Sequence, residues 1–234
     1  MKCITGKDAP LEDSIEKMSR VLSELSFDIE EVSWLNPVPN VWSVVIRDKI
    51  CPVLFSNGKG VTKDAARASA LGEYIERLSC NYFFADFYLG KSVAEGGFVH
   101  YPNEKWFPVE SDDIPEGLLD DATLSHYNMD DELTAPMLID TNSGNRERGI
   151  CALPFTKQKT NEEVWFPVNI IGNLYASNGM AAGNSLYEAR VQAISEIFER
   201  HIKSTIISAG ISLPKIPDDV VNRYPGVVSA ITAL

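Results

Sequence analysis

The chain has 234 residues, 44% of them hydrophobic, which is enough for a sizeable buried core and excludes a disordered tail or a fibre. Lys and Arg total 21 against 33 Asp and Glu, so the formal charge is -12; general adhesion to nucleic acid or to an anionic membrane is excluded, because either needs a basic field. No apolar run approaches the roughly 20 residues that span a bilayer, and residues 1–12 lack the basic-then-apolar pattern of a signal peptide, so a soluble, cytoplasmic protein is expected.

In chain order, Leu11, Ile15, Met18, Leu22 and Leu25 recur at three- and four-residue spacing behind Asp8 and Pro10, which predicts an amphipathic helix over 8–26. Residues 27–35, 41–46 and 51–55, rich in Val, Ile, Trp and Phe and interrupted by the turn 36–40, predict an antiparallel meander. A helix is expected over 62–82, followed by a mixed stretch to about 134. Between Lys105 and Arg146 there is no Lys or Arg while acidic residues accumulate, which reads as a solvated acidic insertion over 106–146. Strands are expected at 136–140, 150–155 and 164–175, and a second long helix at 185–206. From Pro225 helical apolar spacing runs to Leu234 without a capping residue or a polar tail, so the chain is expected to be part of a longer one. Cys3, Cys51, Cys80 and Cys151 form no CxxC pair and read as buried or free thiols.

One segment occurs twice. Ser56-Asn57-Gly58 precedes a helix carrying Ser69, Glu73, Glu76 and Arg77, and Ser177-Asn178-Gly179 precedes one carrying Gln192, Glu196, Glu199 and Arg200; the helices align at a constant offset of 123. At 100° per residue the carboxylates fall on one stripe of each helix, with Leu71, Tyr74, Ile75 and Leu78 opposite in the first and Ile194, Ile197, Phe198 and His201 opposite in the second. A single such stripe reads as a solvated face; two copies with the same spacing point to a shared site. Carboxylates one turn apart repel by a few tenths of a kcal/mol, so the stripes are expected to hold unrelieved charge and to attract a cation. Two such helices side by side would offer the hard oxygen environment that suits Mg²⁺ carrying phosphate ligands, and Arg77 and Arg200 could orient a carboxylate or reach a phosphate. Ser185-x-x-Glu188 has the form of a capping box, so Glu188 either satisfies helix-end amides or acts as a ligand. The Asn-Gly pairs are either ordinary turns with positive φ or places where backbone approaches a ligand, and His201 reads as packed.

Missing motifs narrow the choice. Gly58-Lys59-Gly60-Val61-Thr62 has the wrong spacing for a P-loop, no GxGxxG follows a strand, and no Glu-x-x-His supports a di-iron site, since Phe198 stands three residues before His201.

These residues resemble the YcaO family, whose members carry S-x-x-x-E-x-x-E-R in one helix and Q-x-x-x-E-x-x-E-R in another; the likeness extends to Gly6-Lys7-Asp8, Leu11-Glu12-Asp13-Ser14 and the stretch from Trp34 to Trp42. It is nearest to stand-alone bacterial members described as accessory factors for methylthiolation of a small-subunit ribosomal protein. The resemblance implies an α/β fold of the α+β type with duplicated strand-turn-helix units, and an ATP site with Mg²⁺ but no P-loop. It divides the chain, an amino-terminal portion of a catalytic domain, into helix and meander (1–54), first motif unit (55–83), acidic insertion (106–146) and second motif unit (176–206). By position it implies Glu73, Glu76, Glu196 and Glu199 as metal ligands. Glu188, Gln192, Asn184, Arg200 and Ser69 would bind the nucleotide, with Lys7 and Ser14 reaching it from the first helix. The implied chemistry is phosphorylation of a peptide amide or acyl oxygen, with no residue assigned to the chemical step. The implied partners are a peptide or protein substrate, in particular a ribosomal protein and its methylthiotransferase, with no direct nucleic acid, no membrane, and a homodimer as the oligomeric expectation. Two other readings stay open: a non-catalytic adaptor with a structural or regulatory ATP site, and a metal-dependent phosphohydrolase.

Overall fold

Pro10 opens the first helix, α1 (Leu11–Glu24), with Glu12 and Asp13 in its first turn, where negative charge complements the exposed N–H groups. In the computed structural model, which describes residues 6–80, 83, 95–140, 146–173 and 177–233, the chain divides into two units, residues 1–80 with 177–234 and residues 81–176. No helix among the described residues is long and apolar enough to cross a membrane.

In the first unit α1 leads into an antiparallel sheet of β1 (Ile29–Val38), β2 (Val41–Asp48) and β3 (Phe55–Gly60), in that order. The third strand begins later than residues 51–55 suggest because Asp48, 3% exposed, holds the preceding segment in a turn: its carboxylate accepts from the Cys51 amide at 2.7 Å and the Asp28 amide at 2.9 Å. Ser56-Asn57-Gly58 therefore lies inside β3, paired with β2, and is not a turn. Thr62 caps the next helix, α2 (Lys63–Ser79), by accepting from the Ala65 amide. That helix packs on α1, β2 and β3 and buries Ala66, Ala70, Leu71 and Tyr74. A Cβ on Gly58 would lie 1.9 Å from the Ala66 carbonyl and 2.4 Å from the Ala70 nitrogen, so this glycine exists to let strand and helix backbones approach.

From Ser177 the chain makes the turn that the second Asn-Gly pair predicts, with Gly179 at φ +86°. The long helix α5 (Leu186–Ser208) follows, then α6 (Asp218–Val221) and α7 (Pro225–Ala233). The apolar stripe of α5 is not core: Ile194, Ile197, Phe198 and Ile202 are 46–61% exposed, and among the described elements none packs extensively along it. His201, expected to be packed, is exposed.

The second unit contains the antiparallel sheet of β4 (Lys105–Phe107), β5 (Ile150–Thr156) and β6 (Glu163–Pro167), with α3 (Asp121–Tyr127) between the first two and α4 (Val168–Asn173) after the last. Pro167 has no N–H with which to extend the ladder, so the long strand expected at 164–175 ends there and turns helical. The strand expected at 136–140 is instead a 3₁₀ turn, Ala135–Leu138, opened by Pro136. Residues 81–82, 174–175 and Cys3 lie outside the described residues. The acidic stretch is solvated at Glu110, Asp112, Asp113, Glu116, Asp121, Asp130, Asp131 and Glu132, yet the same stretch places Phe107, Leu118, Leu119, Ala135 and Leu138 in a core with Ile150 and Ala152. Its charge pattern reported the outer face only.

The two kinds of glycine on α2 and its strand should separate in denaturation. Gly58→Ala forces backbone apart and should destabilise by about 3 kcal/mol or prevent folding. Gly72→Ala, in the helix interior with Met18 Sδ its nearest neighbour at 3.9 Å, should stabilise by roughly 0.5–1 kcal/mol. Urea melts of the intact protein check both.

Candidate functional site

The repeat seen in sequence is a repeat of backbone. Thr62 and Ser185 cap α2 and α5 with nearly identical dihedrals, φ −131°, ψ 164° and φ −133°, ψ 164°. A Cβ on Gly60 would stand 2.5 Å from the Ala66 nitrogen, and a Cβ on Gly183 would stand 2.5 Å from the Ala189 nitrogen, the same contact 123 positions on. Further along, Glu73 pairs with Arg77, and Glu196 pairs with Arg200 at 2.8 Å. The copies part company at their first turns: Val61 and Ala65 in the first correspond to Asn184 and Glu188 in the second.

That difference builds a polar network at the start of α5. Glu188, 9% exposed, accepts from the Lys7 ammonium at 3.0 Å, the Asp8 amide at 3.1 Å and Asn184 Nδ2 at 3.0 Å. Asn184 Oδ1 in turn accepts from Ser14 Oγ at 2.8 Å. Burial pushes the Glu188 carboxyl up, but the bonds from Asp8, Asn184 and Lys7 outweigh it and hold it below the ordinary carboxylate value. The capping-box alternative is half realised: Ser185 Oγ accepts from the Glu188 amide at 3.1 Å, while the Glu188 carboxylate is committed to Lys7, Asp8 and Asn184. Four of the sequence-predicted residues, Lys7, Ser14, Asn184 and Glu188, thus meet across about 180 residues of chain. Asp8 and Ser185 belong to the same network and were not among the expected site residues; the signals for them were the Gly6-Lys7-Asp8 stretch and the first position of the capping box.

Beside this network an open cleft of about 340 Å³, in the size range of small-ligand sites, is lined by Glu76, Cys80, Ala182, Gly183, Asn184 and Ser185. Glu76 is the perturbed group in its wall. Burial, then the nearby charges of Glu196 and Glu73, push its carboxyl up to about 7, against smaller opposing effects from Arg77 and a backbone hydrogen bond from Ala182. Glu76 therefore feels the charges of both Glu196 and Glu73. The remaining sites are more open: Glu199 pairs with Lys203 on the surface, and Ser69 and Gln192 are exposed. The expectation of unrelieved charge needs correcting. Arg77, Arg200 and Lys203 each sit one turn after a glutamate and pair with it, the geometry that neutralises a helix face locally. No three Asp, Glu, His or Cys side chains among the described residues are gathered closely enough to hold a metal.

The donor chemistry nonetheless suits the implied groups. Ionising a half-buried carboxyl beside two others is costly, and a divalent cation with hard oxygen ligands removes that cost. Glu76, Glu196 and Glu73 are hard oxygen donors of the kind Mg²⁺ takes, but their side chains would have to draw together to share one ion; the Asn184 amide and Ser14 hydroxyl have the chemistry to bond the polar parts of a nucleotide.

Because Glu76 binds its proton more tightly folded than unfolded, its contribution favours folding fully at low pH and is lost as pH rises from about 4.5 through about 7. Metal-free wild type should lose roughly 1–2 kcal/mol across that window after solvent screening is allowed for, and Glu76→Gln should flatten this part of the curve. Denaturation at a series of pH values with a chelator present checks it; an unchanged slope in the variant would contradict the assignment.

Comparison with known proteins adds the following. The family model described as "YcaO cyclodehydratase, ATP-ad Mg2+-binding" matches residues 57–234. The chain is 66% identical over 232 residues to the ribosomal protein S12 methylthiotransferase accessory factor YcaO of Escherichia coli, covering 99% of this chain and 40% of that protein. It is 60% identical over the same length to an uncharacterised protein of Haemophilus influenzae, again covering 99% of this chain and 40% of the relative. The chain thus spans about 40% of the length of these curated relatives. Among solved structures it is similar to YcaO from Methanopyrus kandleri bound with AMPPCP and Mg²⁺, with a TM-score of 0.52 and 17% identity over 89% of this chain and 48% of that one; at this identity the likeness is one of fold. The mixed α/β architecture with antiparallel sheets agrees with that neighbour, and the match of the family model over more than half of its length establishes that the chain belongs to the YcaO family.

Proposed function

We propose that the protein carrying this chain binds Mg²⁺ and ATP in the cleft between the start of α5 and the end of α2, and uses them to activate an amide or acyl oxygen of a protein or peptide. The observation that carries this reading is Glu76, a cleft-wall carboxyl half-withdrawn from water and near enough to Glu196 and Glu73 to feel their charges. The bound nucleotide supplies a transferable phosphoryl group, whose attachment turns an amide oxygen into a leaving group. Glu76, Glu196, Glu73 and, after release from Lys203, Glu199 would hold the metal. Asn184, Ser14, Glu188 and Lys7 would orient the nucleotide, with the exposed Ser69, Gln192 and Arg200 as further contacts to it. Arg200, tied to Glu196 at 2.8 Å and to Ser177 Oγ at 3.3 Å, would steer a carboxylate or, on leaving these partners, a phosphate oxygen. Positioning and charge neutralisation are the protein's main tasks in such a transfer. The name of the E. coli relative supports a role as accessory factor in methylthiolation of a small-subunit ribosomal protein, with the methylthiotransferase as a partner; a cytoplasmic location belongs to the same proposal.

A non-catalytic adaptor has one observation in its favour: Glu73, Glu196 and Glu199 are already neutralised by cations of their own helices, so the stripes do not require a metal to be stable. Thermal melting of the intact protein separates the readings. For a working site, Mg²⁺ with ATP should raise the melting temperature by more than the sum of the two added singly, because each neutralises charge that the other must face. Additive or absent shifts favour the adaptor, as does a lack of ADP release with any peptide.

Charge-removing variants probe the same site from inside. Glu76→Gln should leave metal-free stability at neutral pH unchanged or higher while abolishing most of the shift given by Mg²⁺ with ATP. Glu199→Gln, which loses only a surface pair, should leave metal-free stability essentially unchanged. Melting curves of each variant with and without ligands check both; loss of stability with an intact ligand shift would remove these residues from the metal set.

A further inference from the structure

Resting on the nucleotide-site reading above, we infer that Asp8 is a positioning residue that latches the segment before α1 onto the first turn of α5, and so holds Lys7 and Glu188 in place for a ligand. Three hydrogen bonds close a ring. The Asp8 amide donates to Glu188 Oε2 at 3.1 Å, the Glu188 amide donates to Ser185 Oγ at 3.1 Å, and the Ser185 hydroxyl donates to the Asp8 carboxylate. Each group is used in the one way its chemistry allows. A serine hydroxyl has a single proton to give, and here it goes to Asp8 while the oxygen accepts from the helix. Glu188 and Ser185 belong to the first turn of α5, and Asp8 lies some 180 residues away in sequence, so the ring ties together parts of the chain that share no local structure.

The first copy of the repeat isolates what this adds. Thr62 caps α2 by accepting from the Ala65 amide, as Ser185 does for Glu188, with the same backbone dihedrals, and α2 forms without any such ring. Capping alone therefore starts the helix. The Asp8 carboxylate is surplus to helix formation, and what it holds is its own neighbour, Lys7, whose ammonium lies 3.0 Å from a Glu188 carboxylate oxygen that is nearly withdrawn from water. Without the latch the segment keeps the Lys7 pair, half exposed at the lysine end, and loses the fixed angle from which Lys7 and the Asp8 amide approach Glu188.

The test uses three forms of the intact protein: wild type, Asp8→Ala and Asp8→Asn, whose side-chain oxygen can still accept from Ser185. Hydrogen exchange at the Asp8 amide, without ligand, reads the latch directly. Exchange should quicken about tenfold or more in Asp8→Ala and stay within about threefold of wild type in Asp8→Asn, while the amides of α5 beyond its first turn are unchanged. Titration calorimetry with Mg²⁺ and ATP reads the consequence: affinity should fall about tenfold in Asp8→Ala and be largely restored in Asp8→Asn, an ordering that a purely structural role would not reproduce at unchanged melting temperature. Equal exchange in wild type and Asp8→Ala overturns the latch, and quickened exchange with unchanged affinity overturns its positioning role. Wild type that binds no Mg²⁺ and ATP at all refutes the nucleotide site itself, and is told apart from both because the exchange measurement contains no nucleotide.

Discussion

The start of the long helix α5 is fixed to its unit by a polar junction at its first turn, and the candidate site depends on that junction. No described element packs extensively along the helix, and its apolar residues stand in water. What fixes its start is polar: the Glu188 carboxylate with its three donors, the Asn184 side chain between Glu188 and Ser14, and the Ser185 cap. Such a junction is directional where an apolar contact would not be, since amides, a carboxylate and hydroxyls each accept only a few geometries. It places Glu196 near Glu76, whose carboxyl, raised first by burial, is raised further by that charge, and on this pair rests the chemistry proposed for the cleft.

The duplicated unit divides labour between its copies. Both keep the glycine that lets backbone approach the helix, the hydroxyl cap, and the Glu–Arg pair one turn apart. The first copy carries Val61 and Ala65 where the second carries Asn184 and Glu188, so one helix contributes carboxylate alone and the other carboxylate together with a polar cradle. A symmetric pair of helices has in this way an asymmetric end, which suits a ligand that is charged at one end and hydrogen-bonding at the other.

Much of this was legible in the sequence. Spacing placed α1, α2 and α5 to within a few residues, and the constant offset revealed the repeat, because helical period and duplication are local signals. The misreadings have physical causes. Ser56-Asn57-Gly58 looks like a turn by composition, but Gly58 is selected by a contact with α2 that no local pattern reports. Val53 and Leu54 carry strand-forming side chains, but Pro52 cannot donate to a ladder and Asp48 holds the turn. The pairs with Arg77, Arg200 and Lys203 were visible as spacings one turn ahead of each glutamate, whereas the roles of Asp8 and Ser185 depend on a junction between distant segments. The exposure of the α5 apolar stripe could not be read from its amphipathic pattern, which states what a helix is able to bury and not what covers it.

The most direct test of the central claim, that the carboxylates of the two helices form the metal end of a nucleotide site whose other end is the Glu188 network, is a crystal structure of the intact protein with a non-hydrolysable ATP analogue and Mn²⁺, located by its anomalous scattering. The expected result is a metal within roughly 2.1–2.3 Å of carboxylate oxygens from both Glu76 and Glu196, with at least one of the Glu73–Arg77 and Glu196–Arg200 pairs released and the nucleotide against Asn184 and Ser14. A nucleotide bound with both pairs intact and no metal at either carboxylate would contradict it.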